Sequence, residues 1–314
     1  MKIVVLDGIP LNPGDLDWAS LRELGDLKVF DRTAPHEVLE RVREAEVILT
    51  NKVRLPREVL EAAPHLRLVS VLATGYDVVD IEVARERGIL VCNVPTYSSN
   101  FTAQTTWALI LELAHHVGLH NEAVKDGEWS RCPDFSFWKT PLVELDGKTL
   151  LIFGRGRIGR RVERIATAFG TKVLWAQVPG REGHRDRVSW EEGFRKADVI
   201  SLHCPLTPDT RRMINADRLS QMKASTLLVN TARGALIDEA ALAEALDNRI
   251  IAGYAADVLD GEPPTPDNPL LKAPNCILTP HFAWASRETR ARLLDISIEN
   301  LRAFGRGQAQ NVVS

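Results

Sequence analysis

The chain has 314 residues, which is enough for two domains, and its 45% hydrophobic and 26% charged residues are typical of a globular protein. The 39 Lys and Arg side chains nearly balance the 42 Asp and Glu, for a net charge of -3, which argues against nucleic acid or an anionic membrane surface as a partner. No apolar run approaches the length of about 18 residues that a membrane span requires. The four cysteines are scattered without a C-x-x-C pair, which favours reduced thiols and a cytoplasmic location.

Short apolar strands alternate with helical patterns along the first hundred residues. The predicted strands are 3–6, 28–30, 47–49, 68–71 and 90–94. The predicted helices between them are 18–24, 36–45, 57–63 and 81–87. Alternation of this kind predicts an α/β unit with a parallel sheet.

A second alternating series follows a long apolar helix, predicted over residues 102–117. The segment 126–142 has aromatic residues without a clear period and is predicted to be irregular. The strands predicted beyond it are 149–153, 172–176, 199–202, 226–230, 251–254 and 277–278. A helix over 239–246, with Asp238 as its N-cap, and a last helix over 286–304 are also predicted. The chain is therefore expected to form two α/β units.

A glycine-rich turn connects a predicted strand to a predicted helix in the middle of the chain. The apolar run 150–153 leads into Gly154, Gly156 and Gly159, which have the G-x-G-x-x-G spacing. Apolar residues then recur at helical spacing as far as Gly170. In such a unit the glycines allow a tight turn and the close approach of a pyrophosphate, which the helix N-terminus attracts. This context predicts a dinucleotide-binding site.

Three polar segments each follow a predicted strand of the second series. Arg233 lies in Asn-Thr-Ala-Arg-Gly, Asp257 and Glu262 lie in the next such segment, and His281 lies in Thr-Pro-His. The carboxyl ends of parallel strands form the ligand crevice of this kind of sheet. An arginine grips a carboxylate through two hydrogen bonds, and a histidine with a carboxylate partner donates a proton near neutral pH. These residue types suit the reduction of a 2-keto acid.

The chain resembles the D-isomer-specific 2-hydroxyacid dehydrogenases over nearly its whole length. The resemblance is carried by the glycine turn, the segment 203–208, the Asn-Thr-Ala-Arg-Gly box, the box from Asp257 to Glu262, and Thr279-Pro-His281. Within the family it is most similar to the glycerate dehydrogenases, also called hydroxypyruvate reductases. That narrower match lies in the segments 5–8, 72–76, 127–130 and 133–138.

The resemblance implies an α/β fold with two domains. A flavodoxin-like substrate-binding domain would comprise residues 1–98 and 288–314, and a Rossmann-type dinucleotide-binding domain would comprise residues 99–287. It also implies a homodimer with the helix near 102–117 in the interface. The implied ligands are a small 2-keto or 2-hydroxy acid and NAD or NADP.

The resemblance assigns the catalytic roles residue by residue. His281 would donate a proton to the carbonyl oxygen of the substrate, and Glu262 would hydrogen-bond His281 and keep it protonated. Arg233 would hold the carboxylate and the carbonyl. The carboxylate would also be bound by the backbone amides of Ala73, Thr74 and Gly75.

Other residues are assigned to the cofactor. The pyrophosphate turn would comprise Gly154, Gly156, Arg157, Ile158 and Gly159. Cys204 and Pro205 would lie beside the adenosine ribose, with the cysteine as a packing residue rather than a nucleophile. Thr231 would lie beside the nicotinamide, and Asp257 would bind its carboxamide.

The roles of Lys52 and Trp138 each have two interpretations, and a group of histidines is not assigned a function. Lys52 is either a substrate contact or an exposed lysine. Trp138 either lines the pocket of a neighbouring subunit or anchors the irregular segment. The histidines at 115, 116 and 120 lack a fitting acidic or cysteine partner, so no metal site is predicted.

One position departs from the family pattern. The acidic residue that binds the ribose hydroxyls of NAD would lie at the end of the second cofactor strand, and the chain has Gln177 there. A glutamine does not repel a 2′-phosphate, and Arg181 follows closely enough to bind one. We therefore expect NADPH to be accepted, with a slight preference for NADP over NAD.

Together these features predict an NAD(P)-dependent enzyme that reduces hydroxypyruvate or glyoxylate to D-glycerate or glycolate. Two alternatives stay open. One is 3-phosphoglycerate dehydrogenase or another D-2-hydroxyacid dehydrogenase, although many 3-phosphoglycerate dehydrogenases have an added C-terminal domain and this chain ends at Ser314. The other is a non-catalytic, dinucleotide-sensing protein of the corepressor type, which shares the fold.

Overall fold

The computed structural model describes residues 1–180 and 186–314 and divides into two compact units. One unit comprises Met1–Ser98 and Trp284–Ser314, and the other comprises Ser99–Ala283. The second boundary therefore lies at 283/284, where the sequence predicts 287/288. The residues in between belong with the last helix, because Ser286 caps it by accepting a hydrogen bond from the backbone N–H of Thr289.

The first unit contains a five-stranded, wholly parallel sheet. Its strands are β1 (Lys2–Val5), β2 (Asp26–Val29), β3 (Val47–Thr50), β4 (Leu68–Val71) and β5 (Leu90–Cys92). Its helices in this part of the chain are α1 (Ala19–Arg22), α2 (Val38–Val42), α3 (Arg57–Glu61) and α4 (Ile81–Glu86). The strand order β2-β1-β3-β4-β5 is that of flavodoxin-like sheets, as predicted.

The second unit begins with three helices, α5 (Ser99–His115), α6 (Val117–Lys125) and α7 (Glu128–Arg131). The predicted single helix over 102–117 is wrong at its C-terminus. His116 adopts a left-handed conformation with φ 48°, which ends α5 and separates it from α6. The segment 126–142 is irregular except for the short α7.

The sheet of the second unit is also parallel throughout. Its strands are β6 (Thr149–Phe153), β7 (Lys172–Trp175), β8 (Val199–Leu202), β9 (Leu227–Asn230), β10 (Gly253–Ala256) and β11 (Cys276–Leu278). Its helices are α8 (Arg157–Ala168), α9 (Trp190–Lys196), α10 (Ala216–Leu219) and α11 (Glu239–Asp247). The remaining helix, α12 (Arg287–Gly305), belongs to the first unit.

The strand order of this second sheet is β7-β6-β8-β9-β10-β11. An isolated parallel bridge between Ala176 and Val188 lies outside β7, where a Rossmann sheet has its third strand. The order reverses between β6 and β8, and the ligand crevice of such a sheet lies at the carboxyl ends of the two strands that flank this point.

Both faces of the second sheet are buried. Along β6, Leu151 and Phe153 pack into one hydrophobic cluster, whereas Leu150 and Ile152 pack into another. This two-sided burial explains why the strand reads as a continuous apolar run. Among the residues that the structure describes, every helix is too short or too polar to cross a bilayer.

Candidate active site and dinucleotide-binding site

The glycine turn after β6 has the geometry that the sequence predicts. Gly154 has φ 101°, and a Cβ atom there would lie 2.5 Å from the carbonyl oxygen of His203. A Cβ at Gly159 would lie 2.2 Å from the carbonyl oxygen of Gly154, so this glycine allows α8 to pack against the turn. A Cβ at Gly156 would meet nothing within 4 Å, which leaves open space above the turn. Any side chain at Gly154 or Gly159 would therefore disrupt the turn.

The N-terminus of α8 borders that open space. Its N-cap, Gly156, provides no side-chain hydrogen bond to the first turn. The backbone N–H groups of the first turn therefore stay available to an anion, and the helix dipole favours one there. Arg157 is exposed at the start of the helix, whereas Ile158 is half-buried and packs into the core beneath it. These residues fit the pyrophosphate of a dinucleotide.

His203 follows β8 directly, and its role is not evident from the sequence. Its backbone N–H donates to the carbonyl of Phe153 at 2.7 Å, and its ring Nε2 lies 2.8 Å from the hydroxyl of Ser201. Its ring Nδ1 is buried and, within the described part of the chain, has no hydrogen-bond partner. Burial lowers the pKa of the imidazole to about 3, so the ring is neutral at physiological pH.

Cys204 and Pro205 continue this edge of the crevice. Cys204 is 2% exposed, and its thiol lies 3.9 Å from the sulfur of Met213. Its side chain therefore packs in the core, and only its backbone can face a ligand. Pro205 is exposed, and its carbonyl accepts a hydrogen bond of 2.8 Å from the Thr210 hydroxyl.

Gln177 lies just beyond the end of β7, at the outer edge of the crevice. Its N–H donates to the carbonyl of Val188 at 3.1 Å, and its own carbonyl accepts from Trp190 Nε1 at 3.0 Å. The backbone at this position is thus held on both sides. Arg181, which the sequence predicts to bind a 2′-phosphate together with this position, lies outside the described residues.

Arg233 follows β9, and its backbone is held from two directions. Its carbonyl accepts from Asn230 Nδ2 at 2.8 Å, and a Cβ at the next residue, Gly234, would lie 1.8 Å from the carbonyl carbon of Leu259. The side chain is exposed, and its Nη1 donates to the carbonyl of Ala232 at 2.7 Å. Most of the guanidinium donors therefore remain for a ligand.

Glu262 and His281 form a hydrogen-bonded pair. Glu262 Oε2 lies 2.5 Å from His281 Nδ1, and Glu262 Oε1 accepts from the N–H of Leu259 at 3.1 Å. About one third of each side chain is exposed. His281 has φ 51°, and its N–H donates to the carbonyl of Thr279 at 2.9 Å. Because Nδ1 faces the glutamate, Nε2 is the nitrogen available to a substrate.

Asp257 supports the segment that contains His281. The carboxylate is 1% exposed and accepts hydrogen bonds from the Thr279 hydroxyl at 2.6 Å, the Phe282 N–H at 2.9 Å and the Ala283 N–H at 2.7 Å. Burial raises the pKa of Asp257, and these three bonds oppose the rise. The structure thus places Asp257 directly beneath the histidine turn, where these three bonds also occupy its oxygens.

Thr231 is buried at the end of β9 and contacts the long helix. Its hydroxyl lies 2.9 Å from that of Thr106 on α5. On the same helix, the hydroxyl of Thr102 donates to the carbonyl of Ala283 at 2.9 Å. The helix therefore braces the ends of two chain segments of the candidate site.

The predicted substrate residues of the first unit lie at the carboxyl ends of β3 and β4. The backbone N–H of Lys52 donates to the buried Asp7 carboxylate at 2.7 Å, and the Lys52 side chain is exposed. Asp7 was not predicted, although it lies only two residues beyond the end of β1. In the second turn, the hydroxyl of Thr74 donates to the carbonyl of Val94 at 2.8 Å, with the half-buried Ala73 and Gly75 on either side.

Trp138 lies in the irregular segment, and 67% of its surface is exposed. No three His, Cys, Asp or Glu side chains of residues 1–180 and 186–314 come close enough together to hold a metal ion.

Comparison with known proteins places this geometry in a family. Residues 107–283 match the model of the NAD binding domain of the D-isomer specific 2-hydroxyacid dehydrogenases. The chain is 48% identical to the hydroxypyruvate reductase of Blautia hydrogenotrophica, with 100% of both chains covered. It is 39% identical to the glycerate dehydrogenase of Methylorubrum extorquens, over 99% of this chain and 98% of the relative.

A solved structure shares the fold. An acyclic imino acid reductase in complex with NADPH and D-Arg is 30% identical to this chain, covers 100% of both chains and superposes with a TM-score of 0.84. The glycine turn, the pair of Glu262 with His281, and the match over the second unit lead to one conclusion. The chain belongs to the D-isomer specific 2-hydroxyacid dehydrogenases.

Proposed function

We propose that this protein reduces hydroxypyruvate to D-glycerate, and glyoxylate to glycolate, with a nicotinamide dinucleotide as the hydride donor. The observation that carries the proposal is the 2.5 Å hydrogen bond between His281 and Glu262 in a chain of this family. The choice of substrate is supported by the names of two full-length relatives, a hydroxypyruvate reductase and a glycerate dehydrogenase.

The proton of the reaction comes from His281. Reduction of a keto carbon requires a hydride at carbon and a proton at oxygen, and the bound reduced cofactor supplies the hydride. Glu262 occupies Nδ1, so the Nε2–H of the imidazolium donates to the carbonyl oxygen. The neutral imidazole that remains keeps its Nδ1–H on Glu262, which holds the ring in one tautomer.

Arg233 holds the substrate in this scheme. Its exposed guanidinium is a planar fork that matches a carboxylate and an adjacent carbonyl. Lys52 and the turn formed by Ala73, Thr74 and Gly75 remain predicted contacts of the substrate carboxylate. A fixed carboxylate orients the keto carbon for hydride transfer.

The residues of the second unit fit a dinucleotide. Gly154, Gly156 and the first turn of α8 would hold the pyrophosphate, with Arg157 and Ile158 in that turn. Cys204, Pro205 and Thr231 would border the nucleosides, and Asp257 would support the nicotinamide side. Gln177 does not repel a 2′-phosphate, so we propose that both NADH and NADPH are used, with a slight preference for NADPH.

A steady-state screen tests the proposal. Hydroxypyruvate, glyoxylate, pyruvate and 3-phosphohydroxypyruvate would each be assayed with NADH and with NADPH. We expect the highest kcat/KM for hydroxypyruvate, followed by glyoxylate, with bulky keto acids poor. A preference for 3-phosphohydroxypyruvate would instead assign a 3-phosphoglycerate dehydrogenase. Dinucleotide binding without turnover of any keto acid would assign a sensor of the corepressor type.

An exposed apolar surface on the second unit supports a homodimer. A groove of about 920 Å³ lies along α6 and the irregular segment that follows. Three apolar side chains that line it are more than half exposed, namely Val117, Trp138 and Leu142. Contiguous apolar surface of this kind marks a protein interface, and we propose that a second copy of the chain covers it.

Sedimentation equilibrium tests the homodimer. We expect the wild type to be a dimer and Leu142→Asp to dissociate more readily. Leu39→Asp is a matched control, because Leu39 is 47% exposed on α2 in the other unit. A monomeric wild type, or equal effects of both variants, would contradict the interface. A cytoplasmic location is proposed as well, supported by the four scattered cysteines, whose spacing favours reduced thiols.

A further inference from the structure

Arg155 occupies the variable position between the first two glycines of the turn, and its side chain is directed to one side of it. The guanidinium carbon lies 5.2 Å from the centroid of the Trp175 ring. Trp175 is the last residue of β7, and its ring is held by a 3.0 Å hydrogen bond from its Nε1 to Glu163. The arginine therefore extends from the pyrophosphate turn towards the end of the second cofactor strand.

An anion already binds this guanidinium. Arg155 Nη1 pairs with the carboxylate of Asp186, which lies on the segment that returns towards the bridge at Val188. Both side chains are partly exposed, at 38% for the arginine and 55% for the aspartate. Exposed ion pairs of this kind are weak because solvent screens them, so a stronger anion can replace the carboxylate.

The end of β7 is where this fold recognises the adenosine ribose. In NAD-specific members of the fold a carboxylate there accepts both ribose hydroxyls, whereas an arginine nearby accommodates a 2′-phosphate. Here the position is Gln177, two residues beyond the ring on which Arg155 lies. The described residues at this edge thus offer a guanidinium and a neutral amide.

We propose that Arg155 binds the 2′-phosphate of NADPH and that the phosphate displaces Asp186 from it. A phosphate monoester has a charge of about −1.5 to −2 at neutral pH and three acceptor oxygens, against one charge and two oxygens for the carboxylate. Asp186 then acts as an internal competitor that weakens the binding of NADPH. This proposal rests on the proposed use of a dinucleotide but not on the identity of the keto acid.

Two nucleotide fragments isolate this contact from the chemistry. Adenosine 2′,5′-diphosphate and adenosine 5′-monophosphate differ by the 2′-phosphate alone, and their Kd values are measurable by calorimetry without any keto acid. We expect Arg155→Gln to weaken the binding of the 2′,5′-diphosphate about tenfold or more, and that of the 5′-monophosphate less than about twofold, because one charge-assisted contact is lost. Asp186→Asn should tighten the binding of the 2′,5′-diphosphate and leave that of the 5′-monophosphate unchanged.

Arg164→Gln is the charge-matched control, because Arg164 is exposed on α8, the helix that follows the turn, and lies away from the turn. Equal weakening of both fragments by Arg155→Gln, or no weakening, would overturn the proposal. Weaker binding of the 5′-monophosphate by the Asp186→Asn variant would overturn it too, since the carboxylate would then bind the ribose hydroxyls. The Asp186 variant keeps the test valid if Arg155→Gln does not fold. Failure to reduce hydroxypyruvate, with these binding differences intact, would count against the proposed substrate alone.

Discussion

Glu262 Oε2 and His281 Nδ1 are 2.5 Å apart, although the two residues are 19 positions apart in the sequence. Each residue is held by its own segment: Glu262 accepts from the N–H of Leu259, and the N–H of His281 donates to the carbonyl of Thr279. The pair is therefore set by the backbone before any substrate arrives. Preorganisation of this kind lets the imidazole act without rearrangement in the transition state.

The first prediction concerns the proton donor. His281→Ala should lower kcat by roughly 10²–10⁴-fold, because general acid catalysis contributes about that much. Nucleotide binding, followed by the quenching of tryptophan fluorescence, should be unchanged. His65→Ala is the control, since His65 is an exposed histidine of the other unit. Near-normal turnover of the His281 variant would remove it from the mechanism.

The second prediction concerns the partner of that histidine. Glu262→Gln keeps the shape of the side chain but removes the negative charge beside Nδ1. A charge-assisted hydrogen bond is roughly twice as strong as a neutral one, so the glutamine holds the imidazole less firmly. We therefore expect kcat for the reduction of hydroxypyruvate to fall about tenfold, with little change in KM, as measured by steady-state kinetics. A kcat equal to that of the wild type would show that the charge of Glu262 does not contribute to catalysis.

The third prediction concerns the substrate anchor. Arg233→Lys keeps the charge but loses the planar fork, which an ammonium cannot replace. We expect a higher KM for hydroxypyruvate and a lower kcat, because a displaced substrate loses both binding and alignment. Arg195→Lys, at an exposed position on α9, should change neither. A normal KM in the Arg233 variant would assign the carboxylate to other residues.

The strands that the sequence predicts best are those with bulky apolar residues on both faces. β4, β6 and β8 have the bounds predicted for them, and all of their residues except Thr149 are buried. β10 begins two residues after its predicted start at 251, because Ile251 is apolar and buried but does not belong to the strand. The strand begins with a glycine because a Cβ at Gly253 would lie only 3.1 Å from the side chain of Leu113. Such close packing depends on the tertiary structure, so the sequence alone does not reveal it.

The hydrogen-bonded pair of Glu262 and His281 and the glycine turn could be anticipated, because their residue types and spacing are specific. The break at His116 could not, because the residue in the left-handed conformation is a histidine rather than a glycine. One local and one long-range hydrogen bond hold the break instead. The Glu112 carboxylate accepts from the N–H of Gly118 at 3.1 Å, and the N–H of Val143, just beyond the irregular segment, donates to the carbonyl of Ala114 at 3.0 Å. His203 was also missed, since its neutral state depends on burial that the sequence does not reveal.

The fourth prediction uses that buried histidine. Burial in the folded protein lowers the pKa of His203 from 6.5 to about 3. Below pH 6.5 the imidazole is therefore protonated in the unfolded chain but stays neutral in the folded protein. Stability should therefore fall as the pH drops from 6.5 towards 3, and His203 alone should account for about 1 kcal/mol between pH 6 and pH 5. Urea unfolding of the wild type and of His203→Gln at both pH values measures this. The variant should lose about 1 kcal/mol less over that interval, and equal losses would contradict the assignment.

The fifth prediction concerns the choice between the two cofactors. Gln177 occupies the position from which a carboxylate would accept hydrogen bonds from both ribose hydroxyls and repel a 2′-phosphate. Its backbone is held by Val188 and by the indole of Trp190, so a substitution should change the side chain without moving the strand end. Gln177→Asp should shift the ratio of kcat/KM towards NADH by about tenfold, which corresponds to about 1.4 kcal/mol. Gln177→Asn is the control, because it shortens the side chain as aspartate does but adds no charge. If the asparagine and aspartate variants shift the ratio equally, then charge at this position does not select the cofactor.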